Sequence, residues 1–255
     1  VIAGEAVAYP LRLMRWHEVV NDIVGGEPIA VTYSPLCDSV AVFSRIVGEE
    51  IVQLGVSGSL YNSNTLLYDR RLQPAASPMW SQLDGGIVAE PNPGFSSRLT
   101  LRVAMLATWG EWRERHPDAR VLAPHPDLKK LYKRDPYHSY FGSDLLHFPV
   151  RPLPPPGGRH LKDRLVIVTV DGHDEGFALR DLADAAGAER GTVEVEVAGL
   201  ATRITFRVFP GTAIVEPLTD PQRLHSVRHS FLFAWYAFGG MIPDTGKLSV
   251  SDPSG

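Results

Sequence analysis

Apolar positions recur with a helical period from Leu11 to Val24. At 100° per residue, Leu13, Trp16, Val20, Ile23 and Val24 share one face, with Glu18 and Asp22 opposite. This predicts a helix over 11–24, stopped by Gly25-Gly26. Short alternating or wholly apolar runs follow and predict strands over Ile29–Tyr33, Val40–Arg45, Glu50–Gly55 and Thr65–Arg70, with Gly, Asn and Ser as turns between them. Leu99–Val103 predicts a further strand, and Ala104–His116 a helix ended by Pro117.

From Asp127 to Tyr140 the chain is polar and reads as loop. Arg151–Arg159 (Arg-Pro-Leu-Pro-Pro-Pro-Gly-Gly-Arg) is a stiff, exposed connector of polyproline character. Beyond it, Leu165–Val170, Thr192–Val197, Ala201–Val208 and Ala213–Glu216 predict strands, and Pro221 opens a helix or an extended apolar element. The two sides of the connector resemble each other. Gly4, Tyr9, Leu11 and Arg12 match Gly172, Phe177, Leu179 and Arg180 in spacing, and Trp109, Trp112, Pro117, Asp118 and Leu122 match Trp235, Phe238, Pro243, Asp244 and Leu248. The expected fold is α+β: a strand-rich single globular domain built of two pseudo-repeated halves. Residues 1–150 form the first half with the candidate site, 151–160 the connector, and 161–255 a smaller half packed on the first. The aromatics Trp109, Trp112, Trp235 and Phe238 are expected in the core.

Composition narrows the functional classes. The chain has 255 residues, 44 % of them hydrophobic and 21 % charged, with a net charge of −4. That charge supplies no basic field for nucleic acid, and no stretch reaches the roughly 18 apolar residues of a membrane span. A single cysteine, Cys37, excludes an internal disulfide framework. The chain begins inside what reads as a strand, so the natural N-terminus is expected upstream. No P-loop and no Gly-x-Gly-x-x-Gly follows a strand, so no nucleotide cofactor is expected.

Candidate chemistry concentrates in the first half. Trp16-His17-Glu18-Val-Val-Asn21 approaches the zinc pattern His-Glu-x-x-His, but Asn21 stands in place of the second histidine. His17 lies at the edge of the apolar helical face. Cys37 follows a strand end and a proline, where a nearby histidine could lower its pKa; the bland reading is a small buried hydrophobe. Gly55-Val-Ser-Gly-Ser59 misses the nucleophile elbow, having Ser59 at the last glycine. Tyr61, Asn62, Ser63, Tyr68, Asp69, Trp80 and Gln82 are polar or aromatic residues in loops and strand ends, suited to a ligand pocket or to ordinary turns. His225 and His229 have the spacing of a metal pair on a helix face, with nothing nearby to complete the set.

Several of these segments recur together in one order: Gly4–Leu11, Trp16–Asp22, Val31–Cys37, Gly55–Gly58, Leu60–Ser63, Tyr68–Arg70, Trp80–Leu83, Thr108–Trp112, His116–Asp118, Asp135–Tyr137, Phe233–Phe238 and Pro243–Thr245. The string resembles the bacterial and archaeal domain-of-unknown-function family 3179 and covers essentially the whole chain. The resemblance implies no established reaction. Its relatives commonly carry Cys-Pro-Leu-Cys where this chain has Ser34-Pro35-Leu36-Cys37, and such a thiol pair implies thiol redox work or a soft metal such as copper. Ser34 removes one ligand and forbids a local disulfide. The resemblance also tilts localisation towards an extracytoplasmic compartment.

Three functional readings follow. The first is an enzyme or metal-binding protein acting on a small molecule, with Cys37 and His17 as metal ligands or catalytic groups, copper or iron as the metal, and Tyr61, Asn62, Ser63, Tyr68, Trp80 and Gln82 around the substrate. The second is a non-catalytic protein that holds a small ligand. The third is a metal-free biosynthetic enzyme using His17 or Asp69 for proton transfer. In the first reading Cys37 and His17 share one cavity.

Overall fold

The computed structural model of the chain describes residues 1–91, 97–157 and 159–241. It is an α+β protein, rich in strands, and it divides into two compact units. Unit one comprises Val1–Leu101 and Trp109–Pro149, and unit two the remainder. The segment Arg102–Thr108, which the sequence assigns to the first half, thus belongs with the second. Pro243, Asp244, Thr245 and Leu248 lie outside the described residues. Among the described residues no helix is long and apolar enough to cross a membrane.

In unit one the predicted 11–24 helix stops early. The helix spans Leu11–His17, burying Leu13 and Met14, and Val19–Val24 is a strand. Two local preferences outweigh the helical period. Val19, Val20, Ile23 and Val24 are β-branched and favour the pleated sheet. Gly25 and Gly26, at φ 56° and 80°, form the two-residue left-handed turn of a hairpin rather than a helix stop. The strand pairs antiparallel with Glu27–Ser34, which pairs antiparallel with Ser39–Ser44. A second sheet orders Ile87–Ala89, Met79–Ser81, Asn64–Asp69 and Leu54–Tyr61. Phe43, Leu54, Leu67 and Trp80 fill the core of this unit. Buried Arg45 bridges its elements by donating to the carbonyls of Ile29, Val52 and Asp22.

Unit two contains an antiparallel set of three strands that are not all consecutive in sequence, and an antiparallel meander. Arg164–Val170 lies between His173–Ala178 and Leu224–Phe231, and Leu200–Arg207 lies between Arg190–Val197 and Thr212–Pro217. Along Leu200–Arg207 the alternation is strict, with Leu200, Thr202, Ile204 and Phe206 buried and facing inward. The helix Leu179–Ala186 buries Leu179, Leu182 and Ala183 and ends at left-handed Gly187. Pro221 opens one turn of 3-10 helix and then the strand Leu224–Phe231, so His225 and His229 do not share a helix face. Four residues of strand separate them by roughly 13 Å. His225 is exposed and His229 buried, which removes the metal-pair reading.

The internal repeat has only local support. Ala3-Gly4 and Asp171-Gly172 are both left-handed pairs, each leading through an extended stretch to a helix at Leu11 and Leu179. The extended stretches pair differently: Val7–Ala8 runs parallel to Arg120–Val121, whereas His173–Ala178 is antiparallel to Arg164–Val170. Trp109 is 53 % exposed at the start of the helix Trp109–Arg115, while Trp235 is 4 % exposed inside the helix Leu232–Ala237. Trp112 and Phe238 are partly exposed, so of the four aromatics assigned to the core only Trp235 lies there. Accordingly, Phe206→Ala should cost about 3–5 kcal/mol in a urea melt, and Trp109→Ala should stay within about 0.5 kcal/mol of the parent.

Candidate functional site

Unit one contains an unusually polar interior. Thr32 and Ser34 point to the same side of the strand Glu27–Ser34, and with Ser39, Asn64 and Gln82 they are fully buried. The Gln82 amide donates to Thr32 Oγ1 at 2.9 Å and to the Ser39 carbonyl at 3.2 Å. Gln82 Oε1 accepts from Asn64 Nδ2 at 3.0 Å and from the Ser39 hydroxyl. Asn64 Oδ1 in turn accepts from the Leu83 amide at 3.0 Å. Both amide side chains are thus occupied in holding four segments together.

Cys37 ends the 3-10 turn Pro35–Cys37 beside this network and is fully buried, with the Asn64 and Ser34 side chains as hydrogen-bond partners. Burial pushes its thiol up to about 12. At neutral pH the group is held as a neutral thiol, a poor nucleophile. Ser34 Oγ accepts from the Thr65 amide at 3.2 Å. The Thr65 hydroxyl lies 3.1 Å from Ser34 Oγ and 3.0 Å from Glu18 Oε2, so its single proton serves one of them at a time. Hydroxyls therefore link the thiol to a carboxyl.

That carboxyl sits on a constrained backbone. Glu18 has φ 56°, a left-handed conformation costly for a residue with a side chain. Its amide donates to the Met14 carbonyl at 2.8 Å, and its carbonyl accepts from the Tyr33 amide at 2.8 Å. Burial raises the Glu18 carboxyl, with the Thr65 hydroxyl partly opposing it, and no cation pairs with it among the described residues. Tyr137 is raised by its own burial and by the charge of Glu18.

Groups from a distant part of the chain stand against the segments that carry Glu18 and Cys37. His17 is exposed, and its Nε2 lies 2.6 Å from the hydroxyl of buried Tyr132. Arg15 pairs with Asp135 and stacks over Phe141 at 5.3 Å. The Tyr140 hydroxyl donates to the Leu36 carbonyl at 2.8 Å.

The sequence-derived candidates separate accordingly. Cys37, Ser63 and Gln82 belong to the buried cluster and its margin, with Ser63 donating to the Phe148 carbonyl at 3.1 Å. His17 flanks Glu18 and bonds to Tyr132; no hydrogen bond joins it to Cys37 among the described residues. Tyr61 is exposed, and Asn62 shares with Ser63 a left-handed hairpin turn. Tyr68 is partly buried opposite Gly55. Trp80 is core, its indole donating to the Ser97 carbonyl at 3.0 Å. Asp69 is a clamp: Arg71 binds both its oxygens, and the Gln53 and Arg71 amides donate to it. Burial would raise that carboxyl, but these bonds prevail and hold it below its ordinary value, which does not suit proton exchange near neutrality. Among the described residues no three His, Cys, Asp or Glu side chains are grouped to hold a metal ion. Cys37 is buried and His17 exposed, and neither belongs to such a group.

The segments Trp16–Glu18, Ser34–Cys37, Tyr61–Ser63, Trp80–Leu83 and Asp135–Tyr137 thus lie in and around one cluster. A family model described as a protein of unknown function (DUF3179) matches residues 1–245. The chain belongs to this family. No curated protein and no solved structure matches it. In this DUF3179 chain the group with the most unusual setting is Glu18.

Glu18 fixes a pH dependence. The folded chain holds this proton more tightly than the unfolded chain does. The stability it contributes is fully present below the ordinary carboxyl value of 4.5 and is lost as pH rises through the raised folded value. Glu18→Gln removes that loss, so thermal melts between about pH 4 and pH 8 should fall less steeply towards high pH in the variant than in the parent.

Proposed function

We propose that the cluster around Glu18 is a small-molecule site in which this carboxyl receives an amine-bearing ligand and exchanges a proton with it. The observation carrying the reading is a partly buried carboxyl on left-handed backbone with a hydroxyl, and no cation among the described residues, as partner. Backbone strain at a polar residue with a raised pKa marks functional positions more often than packing positions. An ionised carboxylate in this setting is short of one interaction, and a ligand ammonium supplies it. The neighbouring phenol of Tyr137 suits the same ligand, since an aromatic face and a hydroxyl both accept an ammonium group. A carboxyl shifted towards neutrality also gives and takes a proton more readily than an ordinary one, which is what acid–base chemistry on an amine requires. Of the earlier readings this is the metal-free one, with Glu18 in the place given to His17 or Asp69.

Thermal melts with small amines and, separately, small carboxylates test it at about pH 5 and pH 8. An amine at about 100 times its Kd should stabilise the protein by about 2.7 kcal/mol. The shift should be larger at the higher pH, where more of Glu18 is ionised, and absent in Glu18→Gln. Equal shifts in parent and variant, or shifts with carboxylates alone, would refute the assignment.

A further inference from the structure

We infer that residues 131–148 are an aromatic strap that covers the Glu18–Cys37 cluster and swings away as one piece, with the Arg15–Asp135 ion pair as its latch. This goes beyond the amine reading and does not need it.

The strap differs from the sheets beneath it in how it is held. It contains one 3-10 turn, Leu131–Lys133, and one helical turn, His138–Phe141, and no strand among the described residues. Its own backbone bonds are short-range, such as the Arg134 amide to the Leu131 carbonyl at 3.1 Å and the Phe141 amide to the Tyr137 carbonyl at 2.9 Å. Side chains make its polar ties to the cluster. Tyr132 meets His17, Asp135 meets Arg15, the Tyr140 hydroxyl meets the Leu36 carbonyl, and the Ser63 hydroxyl reaches the Phe148 carbonyl.

Each tie falls on one of the segments that build the cluster: 15–18, 34–38 or 63–65. The strap also has two faces. Tyr132 and Tyr140 are 8 % and 2 % exposed, whereas Leu145 and Phe148 are 74 % and 47 % exposed. The sheet strands are cross-linked by ladders that must break together; the strap is tied at separate points by side chains. Segments held in that way open at a lower cost than the global transition. Cys37 lies directly beneath, one residue from the carbonyl that Tyr140 grips, and it is fully buried.

Because Cys37 is the only cysteine in the chain, its thiol reports the opening. The experiment measures Cys37 modification by excess dithiobis-nitrobenzoate in the intact chain at urea concentrations below the unfolding transition. A local opening gives a rate that changes little with urea at first and joins the global slope only near the transition. Asp135→Asn and Tyr140→Phe should each speed labelling at low urea by about 3- to 10-fold, with the unfolding midpoint lowered by no more than that same fold-change requires and the unfolding slope unchanged. Arg203→Gln, which breaks a surface pair with Glu194 in unit two, should leave the rate unchanged. Labelling of the parent that follows the full unfolding slope at every urea concentration would overturn the strap without recourse to any variant. An unchanged rate in Asp135→Asn would overturn the latch.

Discussion

The buried amide of Gln82 is the interaction on which the rest of unit one's site depends. It reaches Thr32 on one strand, Ser39 on the next, and Asn64 at the start of a strand in the other sheet. A buried amide left short of partners costs about 1–3 kcal/mol, so these segments are specified jointly rather than one at a time. Asn64 extends the arrangement to Cys37 and to the Leu83 amide. Only when this frame is in place do Ser34 and Thr65 stand side by side and present a hydroxyl to Glu18.

Two carboxyls of the same unit show how environment assigns roles. Asp69 and Glu18 are both shielded from solvent, and burial acts upward on each. Asp69 is given a guanidinium and two backbone amides and ends below its ordinary value. Glu18 is given one hydroxyl and ends above it. The first carboxyl is a fixed charge that closes a turn; the second is left able to change protonation state within the range of ordinary ligands. No difference in residue type predicts this. Arg71, two residues from Asp69, does, whereas the nearest arginine to Glu18 in sequence, Arg15, is committed to Asp135.

Strand positions and the α+β class were legible because alternation along a sheet with one buried face is a local property; Leu200–Arg207 is an instance. The failures are equally local in origin. Over 11–24 the helical period and the β-branched residues disagreed, and the Gly-Gly pair decided for a hairpin. That error placed Glu18 on a solvent-facing helix surface instead of at the bend between helix and strand. The prominence of His17 and Cys37 led to their neighbourhood but not to their roles. Tyr132, Asp135 and Tyr140 were invisible as site residues because they come from a polar stretch more than 90 residues away, and only tertiary contacts bring them to Arg15, His17 and Leu36.

Ser34 explains why the cluster works as a hydrogen-bonded relay and not as a thiol pair. Its side chain faces Cys37 across a single 3-10 turn, at hydrogen-bond distance from the thiol. Two sulfurs in those positions would be neighbours. With oxygen at position 34 the same geometry is used differently. The hydroxyl receives the Thr65 amide, adjoins the Thr65 hydroxyl, and through it reaches Glu18. A hydroxyl both donates and accepts strongly, while a thiol does both weakly. Serine therefore strengthens the link towards the carboxyl while leaving Cys37 neutral and closed in. On the reading proposed here the responsive group is the carboxyl at the far end of these hydroxyls, and the buried thiol lies behind them.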